Sequence, residues 1–106
     1  MIYICGKVKG KLSLRAFNKA EDYMRNSPTY STFANQDYLN PVAVFNAIGV
    51  DYEKMNTKTR LNFELSLLQN CDTIYMLKGW ENDRVSELLC NYASLNGYNV
   101  VYSRKF

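Results

Sequence analysis

Residues 70–90 read NCDTIYMLKGWENDRVSELLC, and the predicted fold is built around this stretch. Residues 73–77 form an apolar run that predicts a strand buried on both faces. Residues 78–83 predict a polar turn, and helical spacing begins at about Arg84. A turn between a parallel strand and a helix start is a common ligand site, because the free N–H groups of the helix attract anions. We therefore interpret this turn as half of a binding site.

A second apolar run, Met1–Cys5, predicts another buried strand, and the turn Gly6–Gly10 that follows it is the expected second half of the site. Residues 98–102 predict a closing strand. Helices are predicted from a cap at Ser13 to Asn26, from Thr57 to near Asn70, and from Arg84 to Asn96 with Gly97 as the stop. This alternation predicts an α/β, Rossmann/flavodoxin-like three-layer domain with a small parallel sheet of about four strands.

Residues 29–51 are less regular. Tyr30–Phe33 fits either a short strand or a loop, Asn40-Pro41 predicts a turn, and residues 42–48 predict a short helix that ends at Gly49. Two apolar stripes are predicted for the later helices, one formed by Leu61, Leu65 and Leu68 and the other by Val85, Leu88, Leu89, Tyr92 and Leu95. These stripes are expected to face the sheet.

The composition excludes several classes of protein. The 106 residues predict a single domain over residues 1–106, and a net charge of +3 is too small to indicate a nucleic-acid surface. No apolar run approaches 18 residues and no signal peptide is evident, so we expect a cytoplasmic protein and not a transmembrane or secreted one. Histidine is absent, which excludes Ser-His and Cys-His catalysis and disfavours zinc. Cys5, Cys71 and Cys90 show no metal spacing and are interpreted as small buried hydrophobic residues; no cofactor or metal is expected.

Two segments carry a resemblance to the nucleoside 2-deoxyribosyltransferase superfamily. Residues 3–10, YICGKVKG, resemble its first strand and loop, most closely in the branch that hydrolyses deoxynucleoside 5′-monophosphates. Residues 71–82, CDTIYMLKGWEN, resemble the signature CDxIYLLPGWExS of short bacterial and phage proteins of this type. Asn40-Pro41 also matches, as does Glu64, whose helical position otherwise indicates an exposed surface residue. The resemblance implies a nucleotide-like ligand and a homo-oligomer in which neighbouring chains complete the pocket. It also implies that the cytoplasm is that of a bacterium, the host if a phage encodes the protein.

The resemblance breaks down at the catalytic group. In that superfamily a glutamate on the last helix attacks the anomeric carbon, within a pattern similar to S-x-G-x-x-x-E. On this chain the three positions are Asp83, Val85 and Leu89, so the nucleophile is replaced by leucine. The candidates for a relocated carboxylate are Glu81, Asp83 and Glu87. Glu87 is not a direct substitute, because two residues along a helix rotate a side chain by roughly 200°.

The predicted ligand-binding residues lie mostly in the two turns. They are Tyr3, Gly6, Lys7, Val8, Lys9, Gly10, Glu64, Gly79, Trp80, Glu81, Asn82 and Asp83. Lys7 and Lys9 either bind a phosphate with the backbone N–H groups of their loop or are simply solvated. Trp80 is either a hydrophobic lid over the last helix or a stacking platform for a base. Asn82 and Asp83 are typical N-cap residues for that helix.

Three functions fit these features. The favoured hypothesis is that a catalytically degenerate, deoxyribosyltransferase-like protein binds a nucleotide or nucleotide-derived ligand, for example a phage protein that sequesters a nucleotide immune signal such as an ADP-ribose derivative. The alternative is an active deoxyribosyltransferase or nucleotide N-glycosidase with a relocated nucleophile. The third is a non-enzymatic scaffold that uses Tyr30, Tyr38 and Tyr52 to contact another protein.

Overall fold

The computed structural model describes residues 1–26 and 37–106, without the side chains of residues 10–12. In chain order the elements are β1 Ile2–Cys5, α1 Gly10–Asn26, β2 Tyr38–Leu39, α2 Pro41–Ala47, α3 Thr57–Leu68, β3 Thr73–Met76, α4 Arg84–Leu95 and β4 Asn99–Tyr102. Two short 3-10 turns cover Tyr52–Lys54 and Trp80–Asn82. The strand or loop predicted at Tyr30–Phe33 lies outside the described residues. Among the described helices, none is both long and apolar enough to cross a membrane.

The four strands form one sheet in the order β2-β1-β3-β4, and every neighbouring pair is parallel. This confirms the predicted α/β three-layer class. After β2 the chain passes over β1 and adds β3 on the other side, so the direction of winding changes between β1 and β3. Ligands of open parallel sheets bind at such a switch point, outside the carboxyl ends of the strands. The turns after β1 and β3 are the two turns that the sequence analysis predicted as the halves of a binding site.

Each face of the sheet is covered by its own helices. The residues of one core cluster are Tyr3, Cys5, Leu68, Cys71, Ile74, Met76, Val85, Leu89, Cys90 and Ala93, which places α3 and α4 on that face. The other cluster consists of Ile2, Ile4, Phe17, Ala20, Met24, Val42, Tyr75 and Leu77, with α1 and α2 covering it. Successive residues of β1 and β3 thus alternate between the two cores, which is why both strands read as continuous apolar runs.

The predicted end of α4 is confirmed, but its predicted stripe is wrong at one position. Gly97 follows the helix with φ 75°, a left-handed conformation that favours glycine. Leu89 is fully buried, as predicted, whereas Leu95 is 85% exposed. The buried face instead ends at Ala93, and two further residues rotate Leu95 by roughly 200°, away from the sheet.

Helix α1 begins one turn earlier than predicted. Its first residue is Gly10, so the loop after β1 is shorter than expected, and Ser13 lies inside the first turn rather than at the cap. The Ser13 hydroxyl accepts a hydrogen bond from the backbone N–H of Lys9 and donates one to the Lys9 carbonyl at 2.9 Å. Ser13 thus holds the loop against the helix start.

Candidate functional site

The turns after β1 and β3 lie side by side, as the sequence predicted. The backbone N–H of Leu77 donates a hydrogen bond to the carbonyl of Cys5 at 2.8 Å. A Cβ added at Gly6 would lie 3.0 Å from the Cβ of Leu77, which is closer than side chains normally approach. Glycine at this position therefore allows the two turns to approach each other at the switch point.

Arg60, near the start of α3, ties both turns together. Its Nη1 and Nη2 donate to the two carboxylate oxygens of Asp83 at 2.9 and 2.8 Å, and Nη2 also donates to the carbonyl of Gly6 at 3.2 Å. Its Nε donates to Glu64 Oε2 at 2.8 Å. The Arg60 side chain is only 10% exposed. One guanidinium thus connects α3, the loop after β1 and the start of α4.

Glu64 is buried in the same network and is not an exposed helical residue. It is 1% exposed, and its Oε1 accepts a hydrogen bond from the hydroxyl of Tyr3 at 2.6 Å. One helical turn separates Glu64 from Arg60, which brings the two side chains together on the face of α3 that packs on the sheet. The site therefore contains Tyr3 and Glu64, both of which were predicted, but as parts of a buried structural network.

Burial and pairing shift the ionisation of these groups in different directions. Burial raises the pKa of Glu64, although the positive charge of Arg60 opposes this shift. Burial alone would raise the pKa of Asp83, but hydrogen bonds from Arg60 and Ser86 outweigh it and lower that pKa. Burial likewise opposes the charge of Arg60, while Asp83 and Glu64 raise its pKa overall. Arg60 and Asp83 therefore form a persistently ionised pair.

Tyr52 lies against this network and is not part of an exposed interaction surface. It is 8% exposed, its ring packs edge-on against Phe45 at 4.1 Å between centroids, and the Arg60 guanidinium carbon lies 5.1 Å from its centroid. Its buried hydroxyl has no hydrogen-bond partner within residues 1–26 and 37–106. Burial, followed by the negative charge of Glu64, raises its pKa. Of the other two proposed contact residues, Tyr38 is half-buried and Tyr30 lies outside the described residues.

A cleft of about 590 Å³ lies beside the loop after β1. Its lining comprises Val8, Leu14, Arg15, Val42, Phe45, Asn46, Val50, Asp51, Tyr52 and Glu53. The apolar part of this lining is supplied by Val8 of the loop after β1, by the start of α1, by α2 and by the segment that follows α2. Tyr52 belongs both to the cleft and to the surroundings of the buried network, so the two features are adjacent.

The cations of the first loop remain at the surface. Lys7 and Lys9 are exposed and make no ion pair within the described part of the chain. Val8, between them, is half-buried and contributes to the cleft. The loop leads directly into α1 at Gly10, so the free backbone N–H groups of a 17-residue helix lie at the same edge.

The second turn combines a glycine, an aromatic ring and a helix cap. Gly79 has φ 87°, which only glycine adopts readily. Trp80 is half-buried against the core below α4, and its ring centroid lies 5.8 Å from that of Tyr102. Asp83 is the N-cap of α4, as predicted, and accepts hydrogen bonds from Ser86 N at 3.2 Å and Ser86 Oγ at 2.5 Å. Asn82 belongs to the preceding 3-10 turn and is not the cap.

The candidate nucleophiles occupy different environments. Leu89 is fully buried, so no polar group stands where the resemblance requires a carboxylate. Asp83 already accepts hydrogen bonds from Arg60 and Ser86, and Glu87 pairs with Arg84 at 2.5 Å. Glu81 is exposed on the turn.

The cysteines agree with their predicted role. All three are buried and free, and burial raises the pKa of the Cys71 thiol to about 11. Burial also raises the pKa of Cys5 well above its usual range, so neither thiol is an activated nucleophile. Within the described residues, no group of three acidic, cysteine or histidine side chains is placed to hold a metal ion.

The family model described as Domain of unknown function (DUF4406) matches residues 1–102. The chain belongs to this family. No curated protein and no solved structure matches this chain.

Two central residues of the candidate site, Arg60 and Tyr52, were missed or misinterpreted from the sequence. The predicted stripe of α3 used Leu61 and Leu65, which are half-buried, whereas Arg60, Glu64 and Leu68 form its buried face. The sequence did contain a signal for this face: Arg60, Glu64 and Leu68 are spaced four residues apart, which places them on one side of a helix. No local pattern identifies Tyr52 or the cleft residues of α2 as neighbours of α1.

Proposed function

We propose that this protein binds a nucleotide or a nucleotide-derived ligand at the carboxyl edge of its sheet without cleaving the glycosidic bond. The observation that carries this proposal is the cleft of about 590 Å³ next to the loop after β1. Small-molecule sites commonly have volumes of roughly 300–1,000 Å³ and apolar walls with a few polar groups. In parallel α/β folds they occur at the switch point that this cleft adjoins.

The apolar part of the cleft suits a base, and cations at its margin suit an attached anionic group, although Asp51 and Glu53 also line the cleft. Val8, Val42 and Phe45 provide apolar wall, which favours a planar base or a similar ring. Arg15 also lines the cleft, while Lys7 and Lys9 are exposed on the adjacent loop. A base inside the cleft and a phosphate beside these cations would satisfy both kinds of surface.

The environment of the carboxylates supports binding without cleavage. A glycosidase nucleophile must reach the anomeric carbon with an ionised, unengaged oxygen. Asp83 is held by Arg60 and Ser86, Glu87 is paired with Arg84, and Leu89 provides no carboxylate. Glu81 is exposed on its turn and is the candidate that the catalytic test must address.

Isothermal titration calorimetry with the common ribo- and deoxyribonucleoside 5′-monophosphates tests binding. Asn46→Trp would fill the cleft from an exposed position of α2, and Ala47→Trp is a matched control because Ala47 is exposed on the same helix but does not line the cleft. We expect at least one nucleotide to bind, the first variant to abolish its binding, and the second to preserve it. If no nucleotide binds, or if both variants bind as tightly as the unaltered protein, the proposed pocket is wrong.

Chromatography of the same mixtures tests cleavage. We expect no free base after prolonged incubation with each nucleotide. Release of base that Glu81→Gln abolishes would replace the proposal with an active N-glycosidase or transferase that uses a relocated carboxylate. Glu87→Gln serves as the comparison, because Glu87 lies on α4 and is already paired with Arg84.

A protein that binds such a ligand without cleaving it could sequester or sense it, including a nucleotide-derived signal during phage infection. The homo-oligomer implied by the resemblance remains part of this proposal. Sedimentation velocity with and without the bound nucleotide measures the assembly, and a monomer under both conditions would contradict self-association.

A further inference from the structure

Three cationic residues occupy equivalent positions past three adjacent strands. The register pairs Cys5 of β1 with Met76 of β3, and Met76 with Tyr102 of β4. Two residues beyond these strand ends the chain carries Lys7, Lys78 and Arg104, respectively. We name these three residues the cationic row. Because neighbouring strands lie about 4.8 Å apart, the row extends over about 10 Å of the carboxyl edge.

The backbone beyond the strands keeps the second and third members of the row together. The N–H of Ser103 donates to the carbonyl of Met76 at 2.8 Å, and the N–H of Lys78 donates to the carbonyl of Phe106 at 2.9 Å. The segment after β4 therefore continues beside the turn after β3 and does not leave the sheet. Arg104 lies within this held segment.

The row presents charge that the protein itself does not neutralise. Lys7, Lys78 and Arg104 are exposed, and none forms an ion pair within the described residues. Two neighbouring cations differ in this respect: Arg84 pairs with Glu87, and the Lys105 ammonium lies 4.8 Å from the centroid of the Tyr23 ring. Within the described part of the chain, unpaired charges therefore follow all three strand ends, and Lys9 adds a further unpaired cation in the loop after β1.

We propose that the cationic row binds a chain of at least two linked phosphates, so that the ligand is a nucleoside diphosphate, a triphosphate or another nucleotide with a pyrophosphate group. This inference rests on the proposed nucleotide pocket. Lys7 immediately precedes Val8, which lines the cleft, so a ligand with its base in the cleft has its first phosphate near Lys7. Further phosphates then extend past Lys78 towards Arg104, where each added negative charge meets an unpaired cation.

The exposed carboxylate of Glu81 opposes this binding. Glu81 is exposed three residues after Lys78 and forms no ion pair with it. Its negative charge repels a phosphate chain along the row, and screening by salt limits that repulsion to short range. We therefore expect Glu81→Gln to strengthen the binding of a triphosphate more than the binding of a monophosphate of the same nucleoside.

The test is a titration of the full chain with mono-, di- and triphosphates of the same nucleoside, and separately with inorganic tripolyphosphate. Trp80, the single tryptophan, lies two residues after Lys78 and reports binding by fluorescence, with calorimetry as the second measurement. We expect affinity to rise by about fivefold for each added phosphate, which corresponds to the upper range for exposed charge pairs. The gain should shrink when salt is raised from about 0.05 to 0.3 M.

Two double variants with the same change of net charge decide the role of the row. Lys7→Gln with Lys78→Gln removes two members of the row, whereas Lys19→Gln with Lys58→Gln removes two exposed lysines of α1 and α3. We expect the first pair to remove most of the gain from added phosphates and the second pair to retain it. Equal affinity for all three nucleotides would refute phosphate binding by the cationic row while leaving nucleotide binding intact. The same would follow if the two double variants lost equal amounts of affinity. Tripolyphosphate binding that depends on the row, without binding of any nucleotide, would instead support the row and overturn the proposed pocket.

Discussion

Replacement of Arg60 by methionine should be among the most destabilising single changes in this protein. The substitution keeps a long side chain but removes four hydrogen bonds, to Glu64, to both oxygens of Asp83 and to the carbonyl of Gly6. The carboxylate of Glu64, which is 1% exposed, then keeps the hydrogen bond from the Tyr3 hydroxyl but loses its cationic partner. Removing one partner of a buried pair typically costs about 3–5 kcal/mol, because the remaining charge is buried without compensation.

Urea denaturation at pH 7, followed by circular dichroism and by Trp80 fluorescence, measures this loss. Arg25→Met is the matched control, because Arg25 also pairs with a glutamate four residues away, Glu21, but on an exposed face of α1. The Arg25 guanidinium carbon also lies 4.6 Å from the centroid of the Tyr38 ring. Because the control removes both an exposed ion pair and this contact, we expect it to lower the free energy of unfolding by at most about 1.5 kcal/mol.

If Arg60→Met alone unfolds the chain, the same substitution can be tested in a variant whose two partner carboxylates have already been replaced by amides. When Glu64→Gln and Asp83→Asn are already present, the carboxylates are neutral and Arg60 is the buried charge without a counterion, so Arg60→Met should cost less than about 1 kcal/mol in this background. If the loss is equally large in both backgrounds, the uncompensated charges are not its cause. A loss in the unaltered background no greater than that of Arg25→Met would also refute the reasoning.

Three further predictions concern single positions. The folded-state pKa of Asp83 lies below its unfolded value, so the stability that its charge contributes is complete above about pH 4 and is lost as the pH falls through the lower folded pKa. The difference in unfolding free energy between the unaltered protein and Asp83→Asn should therefore be constant from pH 7 to 5 and shrink in more acidic titrations. A constant difference down to pH 2 would contradict this prediction. Gly79→Ala should cost about 1–2 kcal/mol in urea denaturation, because φ is 87° there, and an unchanged midpoint would show that the turn adopts another conformation. Leu89→Ala should cost about 2–5 kcal/mol because the site is fully buried, whereas Leu95→Ala, at 85% exposure, should change the unfolding free energy by less than about 0.5 kcal/mol. Similar losses at the two leucines would mean that Leu89 does not pack in the core as described.

The candidate site was only partly predictable from the sequence. The two turns were found because each follows an apolar run and contains glycine, and Gly6 and Gly79 both have structural reasons to be glycine. The cap at Asp83 was found because its chemistry is local. Arg60 was missed because an arginine beside a leucine stripe normally indicates a solvated helix face. Its burial depends on three segments that are distant in the sequence.

The sequence by itself determined the parallel α/β class, the strands β1 and β3, and the place of Leu89 on the apolar face of the last helix. These features follow from runs, spacings and caps that act over a few residues. Only the tertiary structure decided that Arg60 joins both turns, that Tyr52 and α2 form a cleft against the start of α1, and that Lys7, Lys78 and Arg104 share one edge. Strand order and helix rotation set these relations, and both depend on how the whole chain packs its two cores against a single sheet.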